Sequence, residues 1–365
     1  MLQQFDYIST QVLQLRPNCL IHYQKITNHG SRLMSSTAFQ QNIDNLKEVV
    51  KNNGTYTGTM TIGAEKRLTK AINLMVQSSP TTLIYNPVSK KKQNFKLSFI
   101  TLTIPELTDI TLNDCNKKML EPFLRWMRQV HNTTLYIWKA ERQKRGAIHY
   151  HITSNKFIHY QELRNKWNWL LSKHGLNESY VKEHQHNNAN STDVHSVKNI
   201  KNLAPYLIKY FTKSEQNPTN EKGKIWDCSM ILKKAKYYEI TATEDIMYNL
   251  SIAENQKKVT VIQKDRCNFI RLNKTPIDFL MPNEVITHYR NYIYKISIGQ
   301  LPEPQQLHQT VTNQTIYNNE KGQQQNQSVR CISNGCTNQS NRTKQKVYQS
   351  QLCLQFSTNG VYYSG

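Results

Sequence analysis

Between Asn94 and Ser214 the apolar residues keep switching between two rhythms, and this alternation limits the folds open to the chain more than any other feature. NFKLSFITLTIP, Asn94 to Pro105, is rich in aromatic and β-branched residues and stops at a proline, which predicts a strand. Leu120, Phe123, Leu124, Met127 and Val130 then recur at helical spacing, with Pro122 either opening this helix at its first turn or kinking it. TTLYIWKAERQ predicts a second strand, QKRG a turn, and AIHYHITS a third strand returning antiparallel. QELRNKWNWLLSKHG predicts a helix with Leu163, Trp167, Leu170 and His174 on one stripe and Gly175 as its stop. DVHSVKNI, Asp193 to Ile200, alternates as a strand, and LAPYLIKYFTKS closes the series as a helix that tolerates Pro205 in its first turn. Strand, helix, hairpin, helix, strand, helix is the order of an α+β fold: a largely antiparallel sheet with helices packed mainly on one face.

Around this unit, placed at 93–250, three further regions differ in texture. Residues 1–92 form an amino-terminal extension in which GAEKRLTKAINLMV sets Ala64, Leu68, Ala71, Ile72 and Met75 at helical spacing beside Lys66, Arg67 and Lys70. Those cations fit a solvated basic face. The run SKKKQ, Ser89 to Gln93, fits a linker into the next unit. Residues 251–300 hold apolar segments such as TPIDFLMP and HYRNYIYKISIG, expected to form a small, mostly helical segment. Residues 301–365 are rich in Gln, Asn, Ser and Thr, a composition that cannot bury enough surface to offset its ordering entropy, so disorder is expected there.

The charge narrows the partners. Lys and Arg number 47 against 25 Asp and Glu, a formal net charge of +22, which attracts a polyanion and puts nucleic acid first. No long apolar run, signal pattern or lipidation motif suggests a membrane, so a soluble, cytoplasmic protein is expected. The 7 cysteines are scattered without a CxxC pair and fit free thiols in a reducing compartment; even CISNGC lacks two further well-spaced metal ligands.

Two constellations carry chemistry. On a strand His149 and His151 share a face while Tyr150 points to the other, which lets both imidazoles reach one ion. An odd hairpin loop at QKRG would set Glu141 directly across from His149 and add a carboxylate; an even loop would send it to the wrong side. His184 and His186 have the same spacing within the polar stretch KEHQHNNAN and read as surface residues. In PYLIKYFTK, Tyr206 and Tyr210 fall on one helical face about 6 Å apart, flanked by Lys209 and Lys213, while Leu203, Leu207, Ile208 and Phe211 cover the core side. A phenol with a pKa near about 10 attacks poorly at neutral pH unless a cation such as Lys209 stabilises its phenolate. A divalent ion on His149, His151 and Glu141 would polarise a phosphodiester and steady the departing 3′ oxygen, leaving a 5′ phosphate on tyrosine. Two tyrosines permit two successive transfers, and Arg142, Lys144, Arg145 and Lys213 are candidate DNA contacts beside these motifs.

At these residues the sequence resembles the HUH endonuclease superfamily, named for its His-hydrophobic-His motif, and within it the rolling-circle replication initiators of small single-stranded DNA phages and plasmids. FITLT, Phe99 to Thr103, resembles their first motif; ERQKRGAIHYHI, Glu141 to Ile152, the second; YLIKYFTK, Tyr206 to Lys213, the third in its two-tyrosine form. The resemblance implies a ferredoxin-like or RNA-recognition-motif-like fold, a Mg²⁺ or Mn²⁺ ion on the histidines, and nucleophiles at Tyr206 and Tyr210. It implies single-stranded DNA at a replication origin as substrate, and the cytoplasm of a bacterial host if the gene belongs to a phage. Lacking GxxxxGK[ST], the chain would depend on a host helicase and polymerase. Two imidazoles suit Mn²⁺ better than Mg²⁺. Two other readings share these features: a transposase of the same superfamily, and a non-catalytic single-strand binder stacking bases on Trp138, Tyr136, Trp167 or Trp169.

Overall fold

The computed structural model describes residues 5–28, 55–56, 60–86, 90–104, 110–143, 147–197, 203–212, 221–222, 224–303 and 310–314. In chain order it opens with β1 (Phe5–Arg16) and β2 (Cys19–Asn28), a hairpin turned at Asn18, whose φ of 61° is one that Asn tolerates. The short β3 (Thr55–Tyr56) follows, then α1 (Ile62–Ser78), whose N-cap Thr61 accepts the Ala64 N–H. β4 (Thr82–Asn86) pairs with β5 (Lys91–Phe95), so much of the SKKKQ run is strand and not a linker.

The central unit begins at β6 (Leu97–Thr103). α2 (Leu112–Cys115) passes through a π turn (Asn116–Leu120) into α3 (Glu121–His131), followed by β7 (Tyr136–Arg142), β8 (Ile148–Ser154), α4 (Tyr160–Lys173), α5 (Glu178–His184), β9 (Thr192–Val197) and α6 (Leu203–Thr212). β10 (Glu221–Lys222) pairs with β3, and β11 (Trp226–Cys228) leads into α7 (Met230–Lys234). The sheet order β11-β7-β8-β6-β9 is antiparallel at every step. Strands β6, β7, β8 and β9 with their crossover helices make the β-α-β-β-α-β unit of a ferredoxin-like sheet. Pro122 lies inside the continuous run from α2 to α3. The Glu121 N–H reaches back to the Asn116 carbonyl, and this wider turn takes up a residue that has no N–H and would crowd the preceding turn.

Helices cover both faces of this sheet, with different origins. Ile100, Leu102, Trp138, Tyr150 and Ile152 pack with Phe123 of α3 and Trp167 of α4, the crossover helices. Leu97, Ile137 and Cys228 pack on the other side with α1, α6 and α7, which come from outside that unit. Lys70 of α1 serves this packing: its amine donates to the carbonyls of Lys233 at 3.1 Å and Ala235 at 2.9 Å, closing the end of α7. It is a helix cap as much as a member of a basic face.

A second sheet joins the two ends of the chain. β12 (Tyr238–Thr241), α8 (Glu244–Asn255), β13 (Val259–Lys264), β14 (Cys267–Leu272), a 3-10 turn (Ile277–Phe279), α9 (Asn283–Ser297) and β15 (Thr310–Gln314) complete the elements. The order is β12-β1-β2-β14-β13, with β15 also on β1. Leu13, Leu15, Leu20, Tyr238, Ile240 and Ile270 build its core beneath α8 and α9. Residues 251–300 thus hold a strand pair as well as the expected helix. Cys19, Cys115, Cys228 and Cys267 are free thiols, and no helix among the described residues is long and apolar enough to cross a membrane.

One carboxylate of this sheet links stability to pH. Burial pushes the Glu239 carboxyl up, but Tyr23 at 2.8 Å, Gln14 at 3.0 Å and Lys25 at 3.1 Å donate to it, and the net result lies below the usual carboxylate range. A group with a depressed folded pKa stabilises above its unfolded value and loses that contribution as pH falls through the folded one. Between pH 7 and about 3 the wild type should therefore lose more thermal stability than Glu239→Gln, by about 1 kcal/mol for a partly exposed group. Denaturation curves of both proteins across that range check it.

Candidate active site

Alternation along β8 buries Tyr150, whose hydroxyl donates to Asn116 Oδ1 at 2.9 Å, and turns His149 and His151 to the opposite face. The loop from Gln143 to Ala147 is odd, and the Gln143 N–H bonds the Ala147 carbonyl across it at 2.9 Å. Glu141 therefore stands across from His149, and Lys139 across from His151. Ligand atoms of Glu141, His149 and His151 all lie within 4.8 Å of one another. Two imidazole nitrogens and a carboxylate oxygen that close suit one divalent ion, so the three residues can hold a metal.

His151 is the hub of the site. It is buried, with Nε2 2.7 Å from Glu141 Oε1 and Nδ1 3.2 Å from Thr101 Oγ1 on β6. The Tyr210 hydroxyl lies 3.0 Å from Nδ1 and 3.1 Å from Nε2. Only one of these can be its bond: with the Nε2 proton directed at the carboxylate, Nδ1 accepts from the phenol. His149 is held at the same atom, Nδ1, 3.3 Å from Gln143 Nε2. Phe99 packs the ensemble, stacked on His151 at 5.7 Å and edge-on to Tyr210 at 4.9 Å.

Helix α6 reaches this face because Leu203, Ala204, Leu207 and Phe211 bury beside α1, leaving the other side of the helix to the tyrosines. Tyr210 is half-buried against His151, whereas Tyr206 is 47% exposed and Lys209 is exposed. Burial first, then the charge of Glu141, then Tyr206 push the Tyr210 phenol well above its ordinary range. Glu141 moves the other way: its bond to His151 pulls the carboxyl down against its burial, and the charges of His151, Lys139 and His149 add to the pull.

Arg142 is half-buried at the end of β7, while Lys144, Arg145 and Lys213 lie outside the described residues. Of the four aromatics considered for base stacking, Tyr136, Trp138 and Trp167 are buried and Trp169 is 51% exposed, with the amine of Lys166 4.0 Å from its ring centre. His184 and His186 are exposed beside Tyr180. Residues 97–215 match the family model described as Replication-associated protein ORF2/gene-two protein. The matched span opens at the first residue of β6 and runs past the end of α6, taking in Glu141, both histidines and both tyrosines. It covers less than half of the 365 residues and leaves out the second sheet. No curated protein and no solved structure matches the chain. The segment similar to replication-associated proteins is therefore the segment that assembles the site.

Sequence reasoning missed Lys139, which is only 2% exposed and neighbours Glu141 on the site face. The signal was present: Ile137, Lys139 and Glu141 alternate on one side of YIWKAER. Gln143 reads in the sequence only as part of a turn.

Proposed function

We propose that the protein is a replication initiator of the HUH, two-tyrosine type, which nicks single-stranded DNA at an origin and rejoins the ends in rolling-circle replication. In this reading the nicking domain spans 93–250, between an amino-terminal extension and the segments at 251–300 and 301–365. The observation that carries it is the meeting of Tyr210 with His151, 59 residues apart in sequence and 3.0 Å apart in space. A lone pair of strand histidines is ordinary; one that also receives a helix-borne phenol is a nucleophile beside a metal-ligand set.

Tyr210 Oη attacks the scissile phosphorus, the bond from phosphorus to the 3′ oxygen breaks, and that oxygen leaves as a hydroxyl after taking a proton from water. The 5′ phosphate stays on Tyr210 as a phosphodiester. Because the phosphotyrosyl bond conserves the energy of the one broken, joining needs no ATP. Tyr206, one turn away and open to solvent, takes the second transfer. In the free protein, burial and Glu141 keep the Tyr210 phenol protonated, so offsetting the Glu141 charge arms it. A Mg²⁺ or Mn²⁺ ion on Glu141, His149 and His151 would supply that charge, polarise the phosphodiester and steady the 3′ oxygen. Lys209, exposed beside Tyr210, favours the phenolate, and Arg142, Lys144, Arg145 and Lys213 hold the strand by its phosphates. The partners are the origin strand and a host helicase and polymerase.

The test uses labelled single strands tiled across the DNA around the gene, incubated with full-length protein and Mn²⁺. An SDS-resistant adduct that disappears in Tyr206→Phe/Tyr210→Phe supports nicking. A mobility shift without any adduct makes the chain a non-catalytic binder, and adducts confined to the ends of a mobile element make it a transposase.

Thr101 and Gln143 each approach an imidazole at Nδ1, the atom left for a protein partner when Nε2 faces a metal. Thr101→Val should weaken Mn²⁺ binding roughly 10- to 100-fold by titration calorimetry, and Thr101→Ser should restore it.

A further inference from the structure

The ribbon of β4 and β5, just ahead of β6, presents a face that the site does not use. Alternation turns Thr82, Ile84 and Phe95 inward, where they line a cleft with Arg290 and Tyr294 of α9. Leu83, Tyr85, Lys92 and Asn94 share the opposite face, with Tyr85 paired to Lys92 and Leu83 to Asn94. That face is open: Leu83 is 68% and Tyr85 58% exposed. The stretch from Thr81 to Lys96, TTLIYNPVSKKKQNFK, contains Lys90, Lys91, Lys92 and Lys96 and no acidic residue. Lys90, Lys91 and Lys92 are all exposed.

An aliphatic and an aromatic side chain held in water, ringed by unopposed cations, mark an interaction surface for a polyanion. The two-stranded shape selects among polyanions. A β-ribbon fits the major groove of a duplex, about 12 Å wide, where Leu83 and Tyr85 would meet base edges while the lysines meet phosphates. The distance from the catalytic centre agrees. Ser98, near the ribbon's exit into β6, and Thr103, across from His149, are about 17 Å apart at ~3.4 Å per residue. That is about five base steps along a strand. We propose that this ribbon grips the DNA duplex flanking the nicked single strand. It rests on the nicking reading only for where that duplex lies.

The experiment compares full-length wild type with Leu83→Ser/Tyr85→Ser and Lys91→Ala/Lys92→Ala. All four side chains are exposed, so the fold should persist, checked by thermal melting. Tiled duplexes and matching single strands are titrated by fluorescence anisotropy at several salt concentrations. Each variant should bind duplex at least about tenfold more weakly. The lysine pair should also flatten the slope of log affinity against log salt by about 1 to 2. Adduct formation on single strands should stay within about twofold of wild type, since no site residue is touched. Wild-type duplex affinity in both variants, or no duplex binding by wild type, overturns the proposal. So does an equal loss on single strands, which makes the ribbon a single-strand grip, or a dimer-to-monomer change with duplex affinity intact, which makes it a self-association surface. Absence of any wild-type adduct alongside lost duplex binding in the variants would end the nicking reading and leave the ribbon's role standing.

Discussion

Tyr210→Phe should lower covalent adduct formation at least about a thousandfold while leaving the fold and DNA affinity near wild type. The substitution removes only the hydroxyl that bonds His151; the ring keeps its edge-on contacts with Phe99 at 4.9 Å and with Phe211 at 5.8 Å. A loss of rate without a loss of stability is what a nucleophile gives and what a packing residue does not. Tyr206→Phe separates the two phenols. Its exposed ring contributes little to the core, so the first cut should survive, and only the second transfer, read as closed circular product, should fail. Single-turnover gels with a labelled strand distinguish the outcomes. If Tyr206→Phe stops the first cut and Tyr210→Phe does not, the roles are exchanged and the contact with His151 belongs to the second step.

His151→Ala carries the second large effect. The side chain touches Glu141, Thr101, Tyr210 and Phe99, so its removal takes a ligand from the metal-binding triad and the acceptor from the phenol together. Mn²⁺ binding should fall below detection in titration calorimetry, and adduct yield should drop on the order of a thousandfold. His149→Ala is the control for packing, because that ring is half-buried and lies farther from Tyr210 in the register. It should match the loss of Mn²⁺ binding with a smaller change in melting temperature. Undiminished Mn²⁺ binding in both variants would place the ion elsewhere and remove the basis for the triad.

The central sheet was legible because its strands and helices bury one side each, and a half-buried element prints its period on the sequence. Tyr150 and the two histidines show it most simply: core, site and core-side packing follow from alternation alone. Glu141 was legible only conditionally, since its side depends on whether the loop from Gln143 to Ala147 is odd, a parity that QKRG does not declare. The second sheet was not legible. Val12 and Leu13 are adjacent and both fully buried, so β1 is covered on both faces and shows no alternation to find. β5 was hidden for the opposite reason: Lys91 and Lys92 are both exposed on a ribbon, and consecutive lysines carry the composition of a linker. Pairing of β1 with β12 and of β2 with β14 joins segments more than two hundred residues apart, which no local pattern reveals.

The most direct measurement is the identity of the residue that carries the DNA. Wild-type protein is incubated with a cleavable single strand and Mn²⁺, the adduct is digested with trypsin and nuclease, and the modified peptide is sequenced by mass spectrometry. The expected result is a nucleotide on the peptide that holds Tyr206 and Tyr210, on Tyr210 in the Tyr206→Phe background. Attachment at any residue away from α6, or cleavage with no attachment, would contradict the reading of this site.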